Sequence, residues 1–462
     1  MHIVHIALGG CLRAPPVRYG ITPDTGGHIA YVLNAALSQA LLPETSHVTI
    51  VTRRFRNERL GLIHDQEIEH LSDKITILRI GEAGAPYCEK DALSACLPAL
   101  AESLRRHMAR PDCRFDIAHV HFADAASIGL SLAALTNLPV IYTPHALGID
   151  KLQAGGADCK ALRDRIACET NAIQHADGLI VSTRNEADFQ VPRYGVTSAS
   201  AKTRVIAPGV PPLSKAGAEQ GARFLHGMLA SPERPLLLAI ARPVEKKNLV
   251  SLAQLYAQDE ELRKRANLVI LSGQHALLHP GSEEARVVAD LEAIRSDNDL
   301  GKHFALPSSH DADDVAGLYR LAAMTGGVFV NPAHHEPFGL TLLEAASAGL
   351  PVVATNQGGP VDILTRFGHG LLVSPGSREA LGEALHRILS RPELRERLAA
   401  AAAGATALMG WESYARASIQ FYRSAIAARL RSPRSTRTTL RNIVSFLAPS
   451  GHEGMTAPGA SL

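Results

Sequence analysis

Aromatic residues are scarce in this chain: Phe, Trp and Tyr make up 5% of 462 residues, with a single tryptophan. Neither sign of charge is in excess, since 47 Lys and Arg face 45 Asp and Glu. The charge balance does not call for a nucleic-acid partner, and no basic patch interleaved with stacking aromatics occurs. Nucleic acid is therefore not expected as a partner. No apolar run approaches the ~18 residues that cross a bilayer, so no integral membrane segment is expected. The opening MHIVHIALGG lacks the charged start and cleavage pattern of a secretory signal and reads as a first strand. Cys11, Cys88, Cys96, Cys113, Cys159 and Cys168 include no CxxC pair. That argues against a disulfide framework and for a reducing cytoplasm.

Alternation is what the chain has in abundance. Short β-branched runs (HIVHIAL, VTIVTR, ITILRI, DIAHVHF, PVIYTPH, GLIVST) alternate with Ala/Leu-rich helical stretches, and a second series follows (PLLLAIAR, NLVILSG, GKHFALP, GGVFVNPA, PVVATNQ, GLLVSP). Such a pattern predicts βαβ units with parallel sheets buried on both faces. Between the series, from Pro208 to about 234, Pro, Gly and charge replace apolar periodicity. The expected organisation is an α/β chain of two Rossmann-like, doubly wound domains facing each other across a cleft: 1–212, a linker at 213–234, and 235–410. A helix at 411–430 that can return to the first domain follows, then a basic, Pro/Gly-rich tail at 431–462 that reads as disordered.

The stretch HHEPFGLTLLEA, residues 334–345, sets two carboxylates, Glu336 and Glu344, around a strand-to-helix turn. Gly349 and Pro351 close the predicted helix. A glycosidase-type acid pair needs carboxyls about 5–9.5 Å apart, which this spacing meets only by chance. A metal site would need further convergent ligands, and the adjacent His334 and His335 do not point at one ion. Two readings remain: a turn with a solvated helix face, or two acceptors flanking a polar ligand whose diphosphate sits at the helix start near Gly339.

Other segments fit phosphate chemistry. In ARPVEKKNL, Arg242 follows a strand and Lys247 precedes a helix, an arrangement suited to a leaving diphosphate or to an exposed basic turn. Gly26 and Gly27 precede a helix whose free amides can take a phosphate. His145 follows a strand. The acids of DADD, 311–314, resemble a manganese-binding DxD but precede a helix, which predicts N-capping.

Taken together, PDTGGHIAYVL, HFADAASIGL, TPHALGIDK, STRNEADF, ARPVEKKNL, the run from YRLAAMTGG to QGGPVDI, and GLLVSP resemble the retaining glycosyltransferases of the sucrose synthase and sucrose-phosphate synthase group. The resemblance implies the GT-B fold, a nucleotide-sugar donor such as UDP-glucose as substrate, no cofactor and no metal. It implies that Glu336 holds hydroxyls of the donor sugar, that the amides of Phe338, Gly339 and Leu340 line sugar and diphosphate, and that Glu344 accepts from the ribose. Arg242 and Lys247 match the pair that neutralises the departing diphosphate, Gly26 and Gly27 the glycine loop facing it, and His145 the histidine near the transferred sugar. Lys90 matches the lysine that grips a phosphorylated acceptor, with Arg165 as a second cation. The implied reaction joins glucose from UDP-glucose to fructose 6-phosphate; sucrose synthase, or transfer to another sugar phosphate, is the alternative. Departures lie on the acceptor side: His28 where the group often has glutamine, PHALG in place of GHSLG, and Lys90, Asp91 and Ser94 in place of KExLW.

Overall fold

A computed structural model describes residues 1–22, 24–88, 92–111, 113–153, 160–210 and 213–432. The strand-forming runs build two sheets. The first comprises β1 (His2–Ile6), β2 (His47–Arg53), β3 (Ile68–Ser72), β4 (Ile75–Ile80), β5 (Ile117–His121), β6 (Val140–Thr143), β7 (Gly178–Val181) and β8 (Thr203–Val205), in the order β3-β4-β2-β1-β5-β6-β7-β8. Only the edge strand β3 is shown running antiparallel to its neighbour, and its side chains stay largely exposed. Chain order runs outward from β1 through β2 and β4, then restarts at β5 on the other side. The register sets His5 of β1 beside His119 of β5, at that reversal.

The second sheet comprises β9 (Leu236–Ile240), β10 (Asn267–Leu271), β11 (Phe304–Ala305), β12 (Val328–Asn331), β13 (Val352–Thr355) and β14 (Gly370–Val373), all parallel, in the order β11-β10-β9-β12-β13-β14. Its period-two alternation divides the core. Leu237, Ala239, Leu268, Ile270, Val328 and Val330 enter the cluster on one face. Leu236, Leu238, Val269, Leu271 and Phe329 enter the cluster on the other. A sheet apolar on both faces must be covered on both, so the alternation of strand and helix in sequence becomes a doubly wound layer structure. The reversal of strand order falls between β9 and β12, and loops leaving the carboxyl ends of such strands are where α/β folds bind ligands.

The compact units interleave along the chain. Met1–Leu8, Ser46–Leu179 and the described chain from Tyr422 onward form one; Gly9–Thr45 and Ile180–Phe421 form the other. The segment read as a linker has structure of its own: Ala218–Phe224 is helical, and Leu225 and Leu229 are buried in the second sheet's core. A Cβ on Gly221 would lie 2.5 Å from the Gly317 carbonyl oxygen, so two helices meet there through glycine backbone. Small residues and Pro hid this short element from the periodicity of the sequence.

Residues Trp411–Arg431 form the last helix. Tyr414, Ser418 and Tyr422 recur every fourth residue along one face, where they meet the hydroxyl of Tyr31 at 3.0 Å, the amide of Gln39 at 2.9 Å and Nδ1 of His119 at 2.6 Å, respectively. Arg429 pairs with Asp177. No helix among the described residues is long and apolar enough to cross a membrane.

Candidate active site

The two strands flanking the reversal in the second sheet send their carboxyl-end loops against each other. After β9 the chain passes Arg242 and a 3-10 turn at Glu245–Lys247, then enters the helix Leu249–Gln258 through Asn248 in the left-handed region, φ 56°. After β12 it passes His334 and Glu336 and enters the helix Leu340–Ser347. His334 N donates to Lys246 O at 3.0 Å, and the Asn248 side-chain amide donates to Pro332 O at 3.0 Å, so the loops are tied before any charge is counted. Lys247 Nζ then meets Glu336 Oε2 at 2.5 Å, and Asn331 Nδ2 donates to the same oxygen at 3.1 Å. Glu336 is buried. Burial by itself would push its carboxyl up, but the Lys247 ammonium, the hydrogen bonds from Lys247 and Asn331 and the charge of Lys246 hold it below the usual glutamate range.

A third segment completes this loop cluster. Glu336 and Gly358 form a bridge, with Gly359 N donating to Glu336 O at 2.9 Å. Gly358 has φ 87°, and a Cβ there would lie 2.1 Å from the Glu336 carbonyl oxygen; only glycine fits.

Two helices open here without a side-chain cap. Gly26 is the N-cap of the helix Gly27–Ala40, and Gly339, at φ 99°, is the N-cap of Leu340–Ser347. A Cβ placed on Gly27 would lie 3.5 Å from Leu340 Cδ1, so the two uncapped N-termini are neighbours. The turn before Gly26 is held from within. Asp24 accepts from Gly10 N at 2.7 Å and from the Thr22 hydroxyl at 2.7 Å, while Thr25 accepts from Cys11 N at 3.0 Å. Each of these helices thus begins on amides that no side chain caps, and the two starts lie close together; the positive end of a helix dipole is a favourable place for a multiply charged anion.

Glu344 lies on the second of these helices, partly exposed, and accepts from the Tyr319 hydroxyl at 3.0 Å. Its crowded surroundings push the carboxyl up, against the pull of that hydrogen bond. Tyr19, 45% exposed, has its hydroxyl pushed up by partial desolvation and by the Glu344 charge, which places it in Glu344's electrostatic reach. The nearby groove of about 470 Å³ lined by Glu245, Arg286, Asp290 and His334 has neither Arg242, Lys247, Glu336 nor Glu344 in its wall.

His145 belongs to the other unit. It follows β6 at φ 56°, in a tight turn closed by Ala146 N to Pro144 O at 2.7 Å. Phe122, after β5, has φ 67°, and its ring lies 4.9 Å from that of His145. Left-handed backbone at a non-glycine residue costs on the order of 1 kcal/mol or more, a strain retained when surroundings dictate it. His145 Nε2 lies 2.9 Å from His121 Nδ1. Arg165 anchors the same loop: it donates to Ala146 O at 2.6 Å and to Glu169 at 2.8 Å, while Glu169 accepts from Gly148 N at 2.8 Å. Lys90 lies outside the described residues.

The structure therefore brings Gly26, Gly27, Lys247, Glu336, Phe338, Gly339 and Leu340 together, with Arg242 on the same loop as Lys247 and Glu344 further along the same helix as Leu340. DADD is a capping box: Asp311 accepts from Asp313 N at 2.8 Å and Asp314 N at 2.9 Å, and Asp314 accepts from Asp311 N at 3.0 Å. Sequence reasoning passed over Asn331, Tyr319 and His121. Asn331 closes a strand directly before the Glu336 loop, a position that could have flagged it; Tyr319 carried no local signal, because its partner is distant in sequence, and for His121 the HVH of the strand marks only a face shared with His119.

Two family models match the chain, Glycosyltransferase Family 4 over residues 28–212 and Glycosyl transferases group 1 over residues 226–404. Sucrose-phosphate synthase 4 of Arabidopsis thaliana is 30% identical over 473 residues, 85% of this chain and 45% of that protein. A probable sucrose-phosphate synthase of Solanum tuberosum is 29% identical over 471 residues, 85% of this chain and 44% of that one. The chain thus spans about half the length of these curated relatives. The solved sucrose-phosphate synthase from Thermosynechococcus elongatus is 25% identical with a TM-score of 0.75, the match covering 92% of this chain and 99% of that one. Both halves of the chain match glycosyltransferase domains, its fold is GT-B, and it resembles the sucrose-phosphate synthases.

Proposed function

We propose that this protein is a retaining hexosyltransferase that moves glucose from UDP-glucose to fructose 6-phosphate, giving sucrose 6-phosphate and UDP. The observation that carries the proposal is the meeting of two uncapped helix N-termini, at Gly27 and Leu340, in the unit that holds the Lys247–Glu336 pair. In the reaction the bond from the anomeric carbon to the diphosphate oxygen breaks, and a bond to the acceptor oxygen forms on the same face. The acceptor proton passes to a phosphate oxygen. Negative charge grows on the leaving diphosphate, and the cations Arg242 and Lys247 with the backbone amides near Gly26, Gly27 and Gly339 are set to offset it. Glu336, kept ionised by Lys247, accepts from hydroxyls of the sugar, with Phe338 and Leu340 lining it. Glu344 accepts from the ribose. His145 meets the transferred sugar, and Lys90 with Arg165 holds the acceptor's phosphate.

Product analysis with purified protein tests the proposal. Sucrose 6-phosphate should form from UDP-glucose and fructose 6-phosphate, and unphosphorylated fructose should be a poor acceptor, because each charge-assisted hydrogen bond to the phosphate contributes about 1.5–3 kcal/mol. Equal use of the two acceptors would favour the sucrose synthase reaction, and transfer to neither would overturn the acceptor assignment.

A further inference from the structure

Glu336 meets its two side-chain partners through one oxygen. Lys247 Nζ lies 2.5 Å from Oε2, and Asn331 Nδ2 donates to the same atom at 3.1 Å. No group among the described residues donates to Oε1, and that oxygen is not sealed from solvent. The two donors differ in kind. Lys247 brings an ammonium on a flexible, partly exposed stem, whereas Asn331 ends β12 and is buried. An ammonium rotates its three donors freely and attracts either oxygen of a carboxylate. A planar amide held at both ends has no such freedom.

Asn331 is held at both ends. Its Oδ1 accepts from Ala333 N at 3.3 Å, and because an N–H can only donate, the amide nitrogen is the end that faces Glu336. An ionised carboxylate can only accept, so both neighbours demand the same orientation of the amide. The chain beyond is pinned as well. Pro332 O accepts from the Asn248 side chain at 3.0 Å, His334 N donates to Lys246 O at 3.0 Å, and Glu336 N donates to Gln357 O at 3.3 Å. The backbone that carries Asn331 and Glu336 is therefore fixed on both sides of their contact.

We infer that Asn331 is a positioning residue: by holding Oε2 of Glu336 jointly with Lys247, it leaves Oε1 as the acceptor presented to hydroxyls of the donor sugar. The role toward the sugar rests on the proposed glycosyl transfer; the joint hold on Oε2 does not. The last torsion of a glutamate is broad and roughly two-fold. With Asn331 gone, the carboxylate can turn about it and still keep Lys247, so the oxygen offered to the sugar is no longer fixed.

The test is calorimetric binding of UDP-glucose and of UDP to the full chain, read as the ratio of the two dissociation constants. Asn331→Ala should raise the UDP-glucose to UDP ratio roughly ten-fold, the equivalent of about one hydrogen bond to a charged group, and leave the affinity for UDP unchanged. Glu336→Ala should raise the ratio at least as far. Because Asn331 acts through Glu336, the double variant should match Glu336→Ala instead of adding to it. An unchanged ratio in Asn331→Ala beside a raised one in Glu336→Ala would overturn the inference and leave the reading of Glu336 standing. So would additive effects in the double variant, or an equal loss of both ligands in Asn331→Ala, which would mark a residue needed only to fold the loop. An unchanged ratio in Glu336→Ala, or no binding of UDP-glucose to the unmodified chain, would remove the reading of Glu336 and the inference together. Should the chain bind UDP-glucose yet make no sucrose 6-phosphate, the ratios would still decide the point.

Discussion

Lys247 lies against a carboxylate, yet both side chains keep some solvent contact, 17% and 12% exposed. Lys247→Met would leave Glu336 buried without its cation. Losing one partner of a fully buried pair costs about 3–5 kcal/mol, and residual exposure reduces this to about 2 kcal/mol. The pH dependence follows from the direction of the shift. With its carboxyl held down, Glu336 contributes stability above its unfolded value, and this is lost as pH falls through the depressed folded value. In Lys247→Met burial dominates and the carboxyl is raised, so the variant loses stability as pH rises from the unfolded value through the raised one. The gap between the two proteins should be widest near neutrality and narrow in acid, as denaturant midpoints across pH would reveal; a gap constant with pH would dismiss the ion pair. In assays where the folded state persists, Arg242→Ala and Lys247→Ala should each lower turnover by about 10² to 10³, and near-normal rates in both would reject the leaving-group assignment.

At the scale of elements, the helix Ala312–Met324 contrasts with the two that open on glycine. Its start is fully provided for: Asp311 and Asp314 form the capping box, Gln220 donates to Asp314 at 2.8 Å, and Ser214 donates to Asp313. Carboxylates committed to amides and side chains of the same protein serve folding. Asp311→Ala should lower stability by about 1 kcal/mol, read as a shift in thermal midpoint, with the acceptor and donor Michaelis constants unchanged. A collapse of activity that added manganese relieved would return these acids to metal binding. The helices at Gly27 and Leu340 lack such a cap, and in the proposed reaction the glycines that deny them one would also let the donor's diphosphate approach closely.

For the whole molecule, the two sheets repeat one arrangement, each with a reversal of strand order, and each reversal gathers polar side chains: histidines in one unit, Lys247 and Glu336 in the other. In the proposed reaction, cations and helix N-termini supply at the leaving group what a divalent ion supplies in metal-dependent transferases. Activity should therefore survive exhaustive chelation. Complete loss with EDTA, recovered on adding magnesium or manganese, would contradict this and direct attention to a bound ion.

Local chemistry made much of this legible before any tertiary contact was known. Strand runs of period two, helices of period near 3.6 and the punctuation by Gly, Pro and Asp determined an α/β chain with two alternating series, placed Glu336 in a strand-to-helix turn and marked Asp311 as a cap, because each depends on neighbours a few residues away. Gly26, Gly339, Arg242 and Lys247 were visible for the same reason. What sequence order does not contain is which loops meet. The Lys247–Glu336 pair joins residues 89 apart, and the Tyr319–Glu344 bond joins two separate helices across 25 residues of chain. The short helix Ala218–Phe224 is stabilised by packing through glycine more than by its own propensity, so composition concealed it. The contacts of His121 with His5 and His145 show the limit most plainly. HVH on β5 suggests a shared face, but only the pairing of β1 with β5 and the left-handed turn at His145 bring His5, His121 and His145 into one row, since strand order is settled by burying both faces of a sheet and leaves no mark on any one strand.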